Sequence, residues 1–236
     1  MKIDKRKKYV MVLDVETANS TNDKEHNDGL VYDIGFTIID KKGNIYAERS
    51  FCIKEIFDWV ELMNSAYYAN KRPIYYSKLK NKEMEKVTIW EARKRIQKAI
   101  EYFNIKEVYA YNANFDYTTL NNTVRYLSGS GCRWFLPYGV EVCDIWHIAC
   151  QVLGLQKTFQ KENIRNEKGN LITSAERMFA YMIQDENFEE SHTGLEDALI
   201  ESQILARCLR SHKAIAKNIN KFCWKSPQNL LTNEMI

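Results

Sequence analysis

The chain has 236 residues, of which 45% are hydrophobic and 28% charged, and it contains only 9 Gly and 3 Pro. This composition excludes a disordered, collagen-like or low-complexity protein, and the length predicts one large domain or one domain with an appended segment. The formal net charge of +3 neither indicates nor excludes nucleic-acid binding. An enzyme can have an acidic, metal-binding centre and carry positive charge only on the surface that contacts the substrate backbone, so its net charge stays small.

The first residues do not predict export or membrane insertion. The apolar run Tyr9–Leu13 stops at Asp14, whereas a signal h-region needs roughly 7 to 15 apolar residues and a membrane span about 20. The six cysteines show no C-x-x-C spacing, so we expect reduced thiols. We therefore expect a cytoplasmic protein with no membrane partner, and the Lys- and Asn-rich usage favours a bacterial protein or a viral protein in a host cytoplasm.

The first third of the chain predicts three antiparallel strands. Tyr9–Leu13 is a Val-rich run suited to a buried strand, and Val31–Ile39 is a second apolar run. Lys41-Lys42-Gly43-Asn44 predicts a turn into a third strand, Ile45–Ile53.

The rest of the chain predicts helices that alternate with strands. From about Lys54 to Phe103 the spacing is helical, with an interruption at Pro73. The later predicted elements are a strand at Glu107–Tyr111, a helix from about Phe115 to Leu127, a strand at Val140–Cys143 and a helix at Ile145–Leu153. The order of elements predicts an α/β domain with a mixed central sheet flanked by helices.

Two helix starts fit the capping-box pattern. Thr173-x-x-Glu176 and Thr193-x-x-Glu196 both have the spacing, and the second predicts a helix from Gly194 to about Arg210. We expect one domain over residues 1–210, followed by a Lys-rich, partly helical tail over 211–236.

Ionisable residues cluster in three short passages. Asp14 and Glu16 lie in LDVET at the predicted end of the first strand, and Asp116 lies in YNANFD at the predicted end of the fourth. His192 and Asp197 lie in SHTGLED at the start of the last predicted helix. Each passage alone is weak, because D-x-E is common at solvated strand ends. Both strand-end sites nevertheless follow buried apolar strands, where a carboxylate without a partner is costly.

Convergence of the four carboxylates would require cations. Two unit charges about 4 Å apart repel by roughly 4 kcal/mol at an effective dielectric constant near 20, so four such groups cannot stay ionised together alone. Two Mg²⁺ or Mn²⁺ ions would balance them and suit their oxygen ligands. A pair of such ions is the usual device for in-line attack on a phosphodiester, with His192 placed to remove the proton of the attacking water.

LDVET, YNANFD and HTGLED, in this order, resemble the three exonuclease motifs of the DnaQ-like DEDDh family of 3′–5′ exonucleases. The resemblance spans about residues 8–210 and implies a ribonuclease H-like fold. The related branch has Tyr four residues before the last Asp, where this chain has Thr193, so His192 indicates the histidine branch.

The resemblance implies specific roles. Asp14, Glu16, Asp116 and Asp197 would be the ligands of two divalent cations, and His192 the general base. Thr17, Asn112 and Phe115 match positions that shape the substrate site. The implied substrates are 3′ ends of single-stranded nucleic acid, with DNA slightly preferred over RNA, and a DNA polymerase is a possible partner through proofreading.

Alternative interpretations stay open. The chain could be an exoribonuclease that trims RNA 3′ ends, or a catalytically silent nucleic-acid-binding or polymerase-associated module on the same fold. The stretch Tyr67–Lys80 interleaves Tyr with Lys and Arg, which fits either a base-stacking surface or a hairpin packed on the domain. We interpret Asp144 as structural, the Cys143, His147 and Cys150 spacing as a buried helix face, and the tail lysines (Lys213, Lys217, Lys221) as a solvated face.

Overall fold

The computed structural model describes residues 3–4, 6–18, 29–162, 165–211, 214–219, 223, 225 and 227. Within these residues, a six-stranded mixed sheet carries helices on both faces, and the predicted α/β class is confirmed. The strands are β1 (Tyr9–Ala18), β2 (Leu30–Asp40), β3 (Ile45–Ile53), β4 (Glu85–Val87), β5 (Glu107–Ala110) and β6 (Glu141–Asp144).

The strand order across the sheet is β4-β3-β2-β1-β5-β6. The first three strands pair antiparallel, as predicted, and the turn at residues 41–44 joins β2 to β3. β5 lies parallel to β1, β6 parallel to β5, and β4 parallel to β3. The carboxyl ends of β1 and β5 therefore meet at one edge of the sheet.

The helices follow the strands closely. They are α1 (Lys54–Phe57), α2 (Val60–Met63), α3 (Arg72–Lys80), α4 (Ile89–Tyr102), α5 (Ala113–Ser128), α6 (Ile145–Val152), α7 (Lys157–Glu162), α8 (Ala175–Ile183) and α9 (Gly194–Leu209), with a 3₁₀ turn at Ala69–Lys71 before α3. None of the described helices is both long enough and apolar enough to cross a membrane.

Successive side chains of β1 point alternately to two hydrophobic cores, one on each face of the sheet. Met11 and Leu13 face the core that α4 and α5 cover, whereas Val10 and Val12 face the core that α6, α8 and α9 cover. All residues of β2 are buried, as expected for a strand covered on both faces.

The first strand is longer than the sequence predicts. Asp14 and Glu16, predicted at the end of the strand, lie within it, because β1 continues its pairing with β2 to Ala18. The register shifts between Glu16 and Thr17, which forms an irregularity at the end of the motif. The prediction of a strand ending at Leu13 was wrong because an apolar run marks only the buried part of a strand.

Two further predictions require correction. The stretch predicted as helical between residues 54 and 103 contains the short edge strand β4, which pairs with β3. Asp116 does not lie at a strand end, because α5 begins at Ala113 and places Asp116 in its first turn. Asn112, in left-handed backbone conformation with φ of 62°, makes the sharp change from β5 to α5 that the apolar pattern does not reveal.

The predicted capping box at Thr173 is absent from the structure. Ser174 is the N-cap of α8, and its hydroxyl accepts the backbone N–H of Arg177. A capping box does form at α4, where Thr88 and Glu91 accept each other's backbone N–H groups.

Part of the predicted tail packs on the domain. The N–H of Asp144 donates to the carbonyl of Lys217, and Lys217 Nζ lies 3.2 Å from a carboxylate oxygen of Glu107. Lys217 is therefore an ion-pair partner, and the prediction that it is a solvated lysine was wrong. Lys213 and Lys221 lie outside the described residues.

Candidate active site

Two elements bring three of the predicted carboxylates together. Asp14 and Glu16 point to the same side of β1, and α9 packs on that face of the sheet and presents Asp197 from its first turn. One potential ligand atom from each of these residues lies within 4.8 Å of the other two.

A glycine contact sets the distance between α9 and the sheet. A Cβ on Gly35 of β2 would lie only 2.0 Å from backbone atoms of Gly194 and Leu195, and a Cβ on Gly194 would lie 2.7 Å from the nitrogen of Gly35. Only glycine allows the helix to begin directly against the strand. The Gly in the HTGLED motif therefore helps to hold Asp197 over Asp14.

The fourth predicted carboxylate, Asp116, lies beside this group without belonging to it. Its side chain is buried, and burial raises the pKa of Asp116 well above its usual range although backbone amides, including that of Val15 in β1, act to lower it. Its negative charge is among the causes that raise the pKa of Asp14. The structure thus brings all four acids to one place, with Asp116 slightly displaced.

The cluster is electrostatically unfavourable by itself. Burial is the main cause that raises the pKa of Asp14 well above its usual range, and the neighbouring Glu201 and Asp116 add to it. Burial and the nearby acids likewise raise the pKa of Glu16 to about 9 and that of Asp197 to about 7. Burial and mutual repulsion therefore disfavour the ionised form of all three groups unless positive charge is added.

The donor atoms fit divalent cations. One buried oxygen each of Asp14, Asp116 and Asp197 has no hydrogen-bond partner among the described residues. Buried carboxylate oxygens without partners are costly unless they are protonated or coordinate a metal. A set of carboxylate oxygens is the donor type that Mg²⁺ and Mn²⁺ prefer.

Sequence reasoning missed two buried acids at the site. Glu201 follows Asp197 by one helical turn on the buried face of α9, and its carboxylate accepts the N–H of Tyr111 at 3.2 Å. Asp33 pairs with Glu16 across the sheet and accepts bonds from the Tyr75 hydroxyl and the Gly194 N–H, both at 2.9 Å. The sequence did contain two signals for these residues. Asp33 is an acid within the apolar run of β2, and Glu201 follows Asp197 by four residues in α9.

His192 lies in the loop just before α9, as predicted, with a left-handed φ of 53°. Its ring stacks on Tyr68 at 4.4 Å between centroids and 13° between planes. Lys71 donates to the carbonyl of Ser191 at 2.5 Å and lies 4.7 Å from the Tyr68 ring centroid. Burial, and next the charge of Lys71, lower the pKa of His192, which favours the neutral imidazole.

The stretch Tyr67–Lys80 is therefore attached to the site. Besides the contacts of Tyr68 and Lys71, Lys78 donates to the hydroxyl of Thr193 at 3.0 Å and pairs with Glu196 at 2.9 Å. Thr193 is the N-cap of α9, but its hydroxyl donates to Glu196 at 2.6 Å instead of accepting a backbone N–H. The predicted capping box is thus replaced by a side-chain network that ties α3 to α9.

A second group of ionisable side chains lies next to the first. Ligand atoms of Glu176, Glu190 and His192 lie within 4.8 Å of one another. Burial raises the pKa of Glu190 to about 8, with a further contribution from Asp197. This group shares His192 with the site described above.

An open cavity of about 690 Å³ gives access to the acids. Its lining includes the acids Asp14, Glu16, Asp197 and Glu201, together with His192 and Tyr68. The ring of Tyr111 stacks on Trp146 with 6.2 Å between centroids, and both rings line the cavity. Glu190 and most of the residues between 166 and 175 also line it.

The predicted substrate-contacting residues differ in position. Asn112 is exposed and lines the cavity. Thr17 lies at the irregularity of β1 and pairs with Val31. Phe115 packs partly buried against the core and is not among the residues that line the cavity.

The other side chains that the sequence singled out have structural contacts. Asp144 is the N-cap of α6 and accepts backbone N–H groups of Trp146 and His147, and also that of Asn112. Cys143 and Cys150 are fully buried. The structural interpretation of Asp144 agrees with these contacts. His147 and Cys150 lie on the buried face of α6, but Cys143 lies in β6, so the prediction that all three share one helix face was wrong for Cys143.

Comparisons with known proteins concern the fold. A scan against protein-family models and a search of curated protein sequences each find no match. The chain is similar to the nuclease domain of 3′hExo, a DEDDh family member bound to rAMP, with 11% identity over 92% of this chain and 98% of that one and a TM-score of 0.60. It is also similar to a full-length 3′-exonuclease, with 10% identity over 90% of this chain and 86% of that one and a TM-score of 0.61.

Exonuclease I from E. coli in complex with a dT13 oligonucleotide is similar over 85% of this chain but only 40% of its own, with 14% identity and a TM-score of 0.52. The predicted ribonuclease H-like fold is confirmed by these similarities. The resemblance to DEDDh exonucleases is thereby supported by structure as well as by the three motifs.

Proposed function

We propose that this chain is a metal-dependent 3′–5′ exonuclease that hydrolyses phosphodiester bonds at the 3′ end of single-stranded nucleic acid and releases 5′-mononucleotides. The observation that carries the proposal is the convergence of Asp14, Glu16 and Asp197 beside Asp116. In the part of the chain that the structure describes, one buried oxygen of each of the three aspartates has no hydrogen-bond partner. This convergence occurs at the sheet edge of a fold shared with 3′-exonucleases.

In this proposal the four acids hold two divalent cations, Mg²⁺ or Mn²⁺. When bound, these ions supply positive charge that activates the attacking water and stabilises the leaving oxygen. The carboxylates of Asp14 and Glu16 are fixed by β1, Asp116 by α5 and Asp197 by α9, so rigid elements orient all four.

His192 is the general base in this proposal. Its neutral imidazole can accept a proton, and His192 lines the same cavity as Asp14, Glu16 and Asp197. As water attacks the phosphorus, the proton of the water goes to His192 and the bond to the 3′ oxygen of the preceding nucleotide breaks. The stack on Tyr68 and the Lys71 contact to Ser191 hold the ring in place.

A catalytically silent binding module is disfavoured. Such a module would not need four buried acids, and their repulsion would only destabilise it. The proposal keeps the slight preference for DNA, whereas RNA 3′ ends are the second candidate. Structural neighbours include an exonuclease that recognises the histone mRNA stem-loop and another bound to a thymidine oligonucleotide.

Oligonucleotides labelled at the 5′ end test the proposal. With Mg²⁺ or Mn²⁺, we expect stepwise shortening of the labelled strand from the 3′ end, faster on single strands than on duplexes. Chromatography of the same reactions should show 5′-mononucleotides as the unlabelled products. DNA and RNA of the same sequence in parallel reactions give the sugar preference. Full activity in excess chelator, or internal cleavage as the main product, would contradict the proposal.

A further inference from the structure

A short hairpin forms part of the wall of the cavity that gives access to the acids. Arg165 and Leu171 pair as an isolated antiparallel bridge, and a turn over residues 166–169 lies between them. We call residues 165–171 the Lys168 hairpin. Its members that line the cavity are Asn166, Lys168, Asn170 and Leu171.

Hydrogen bonds within the Lys168 hairpin fix the shape of its turn. The side-chain oxygen of Asn166 accepts the N–H groups of Lys168 and Asn170, both at 3.0 Å. Gly169 has a left-handed φ of 76°, and its carbonyl accepts a hydrogen bond from the guanidinium group of Arg165 at 2.8 Å. The charged group of Arg165 is thus used inside the hairpin, whereas the turn carries Lys168 as an exposed side chain.

The segment after the hairpin is attached to the candidate active site. The hydroxyl of Tyr111 donates to the carbonyl of Thr173 at 2.5 Å, and Nε1 of Trp146 donates to the Thr173 hydroxyl at 2.9 Å. Tyr111 is itself held next to the acids, since its N–H donates to Glu201 at 3.2 Å. These bonds fix the Lys168 hairpin relative to the acids.

Lys168 is the basic residue of an otherwise acidic cavity. Five acids line the cavity, and Lys168 is the only lysine or arginine among the described residues of the lining. In the same part of the chain, its ammonium group forms no ion pair with a carboxylate. Lys71 also acts on the acids, but its ammonium group already donates to the carbonyl of Ser191. Lys168 is therefore free to attract an anion into the cavity.

The anion with which Lys168 fits best is a phosphate of the substrate strand. A cavity of about 690 Å³ has the size of a small-ligand site, so it takes the end of a strand and not a long stretch of it. In the proposed function, the phosphate that is cleaved lies at the buried acids. Lys168 is an exposed side chain of the same cavity, so it is placed for the next phosphate, where the strand passes from the acids to solvent.

We propose that Lys168 binds the phosphodiester next to the one that is cleaved, on its 5′ side, and so holds the 3′ end of the strand in the cavity. This inference rests on the proposed function and adds a substrate-binding residue outside the three motifs. The contact is between a lysine and a phosphate, so it does not depend on the base, and it is the same for DNA and RNA.

Kinetics on a trithymidylate with Mn²⁺ at low salt give the first test. Lys168→Gln should raise KM about fivefold, the upper range for an exposed ion pair, and leave kcat unchanged. Lys168→Arg keeps the charge and should stay within about twofold of the wild type. The matched control is Lys161→Gln, since Lys161 is an exposed lysine of α7 that does not line the cavity.

A neutral linkage identifies the phosphate. A methylphosphonate between the first and second nucleotides of the trithymidylate removes the charge that Lys168 is proposed to bind and leaves the bond that is cleaved unchanged. On this substrate, the wild type and Lys168→Gln should have the same KM, because the two changes remove the same interaction.

Two results would overturn the proposal. One is the same KM for Lys168→Gln and Lys161→Gln on the unmodified trithymidylate, and the other is a difference that persists in full on the methylphosphonate substrate. A wild type that does not cleave would reject the proposed function instead. Fluorescence anisotropy of the same labelled strands with Mn²⁺ then compares Kd in place of KM. Binding weakened by Lys168→Gln would keep the contact, and unchanged or absent binding would overturn it.

Discussion

Replacing Gly35 with Ala tests whether the contact between α9 and β2 positions Asp197. The added Cβ would lie 2.0 Å from two backbone atoms, whereas ordinary contacts begin near 3.4 Å, so strand and helix would have to separate by about 1.4 Å. Overpacking typically costs 1–3 kcal/mol, and because the clash is with backbone we expect about 3 kcal/mol. For a chain of this size this lowers the melting temperature by about 6–12 °C.

The same displacement should impair catalysis, because a misplacement of about 1 Å can cost 10²-fold in rate. Thermal denaturation and exonuclease kinetics, both compared with Gly131→Ala, measure the two effects. Gly131 is a suitable control because a Cβ there would meet nothing within 4 Å. A Gly35→Ala protein that melts and cleaves like the Gly131→Ala protein would refute the reasoning.

Four further outcomes follow from the site and the sheet. Asp14→Asn should abolish cleavage at any metal concentration and, in thermal melts, should raise the metal-free melting temperature because repulsion is relieved; a lower one would contradict this. His192→Ala should lower kcat by roughly 10²–10⁴-fold, with oligonucleotide binding unchanged in anisotropy; a loss below about threefold would remove the general-base role. Tyr68→Ala should lower kcat more than it changes KM, and Tyr68→Phe, which keeps the ring, should restore it in the same kinetic assay. Burial would raise the pKa of Asp40, but hydrogen bonds from the turn after β2 outweigh it and lower the pKa to about 2. The ionised carboxylate of Asp40 thus stabilises the fold above about pH 4, and this stabilisation is lost as the pH falls through about 2. In urea titrations, Asp40→Asn should therefore cost up to about 2 kcal/mol at pH 7 and almost nothing near pH 2.

The apolar patterns predicted most of the sheet because they record burial. β3 was predicted with its observed bounds, and β2 and β6 to within one residue at each end. β4 was missed because it is a three-residue edge strand with two exposed charged residues, which leaves no alternation to detect. β1 was predicted too short because its last residues carry the polar side chains of the site.

The five motif residues could be selected from sequence because their passages occur in a fixed order. Their neighbours could not be selected in the same way. Glu201 and Asp33 reach the site only through packing of α9 on β2, and the contacts of Tyr68 and Lys71 with residues 191–192 join segments more than one hundred residues apart. Such contacts depend on tertiary structure and leave little local pattern.

Calorimetric titration of the metal-free protein with Mn²⁺ tests the central claim, that the four acids form a metal centre, most directly. Wild-type protein and an Asp58→Asn control, which changes an exposed acid paired with Lys86, are compared with Asp14→Asn. We expect the wild type and the control to bind Mn²⁺ with the same stoichiometry, and Asp14→Asn to lose this binding together with cleavage of the oligonucleotide. Unchanged Mn²⁺ binding by Asp14→Asn, or no binding by the wild type, would contradict the account.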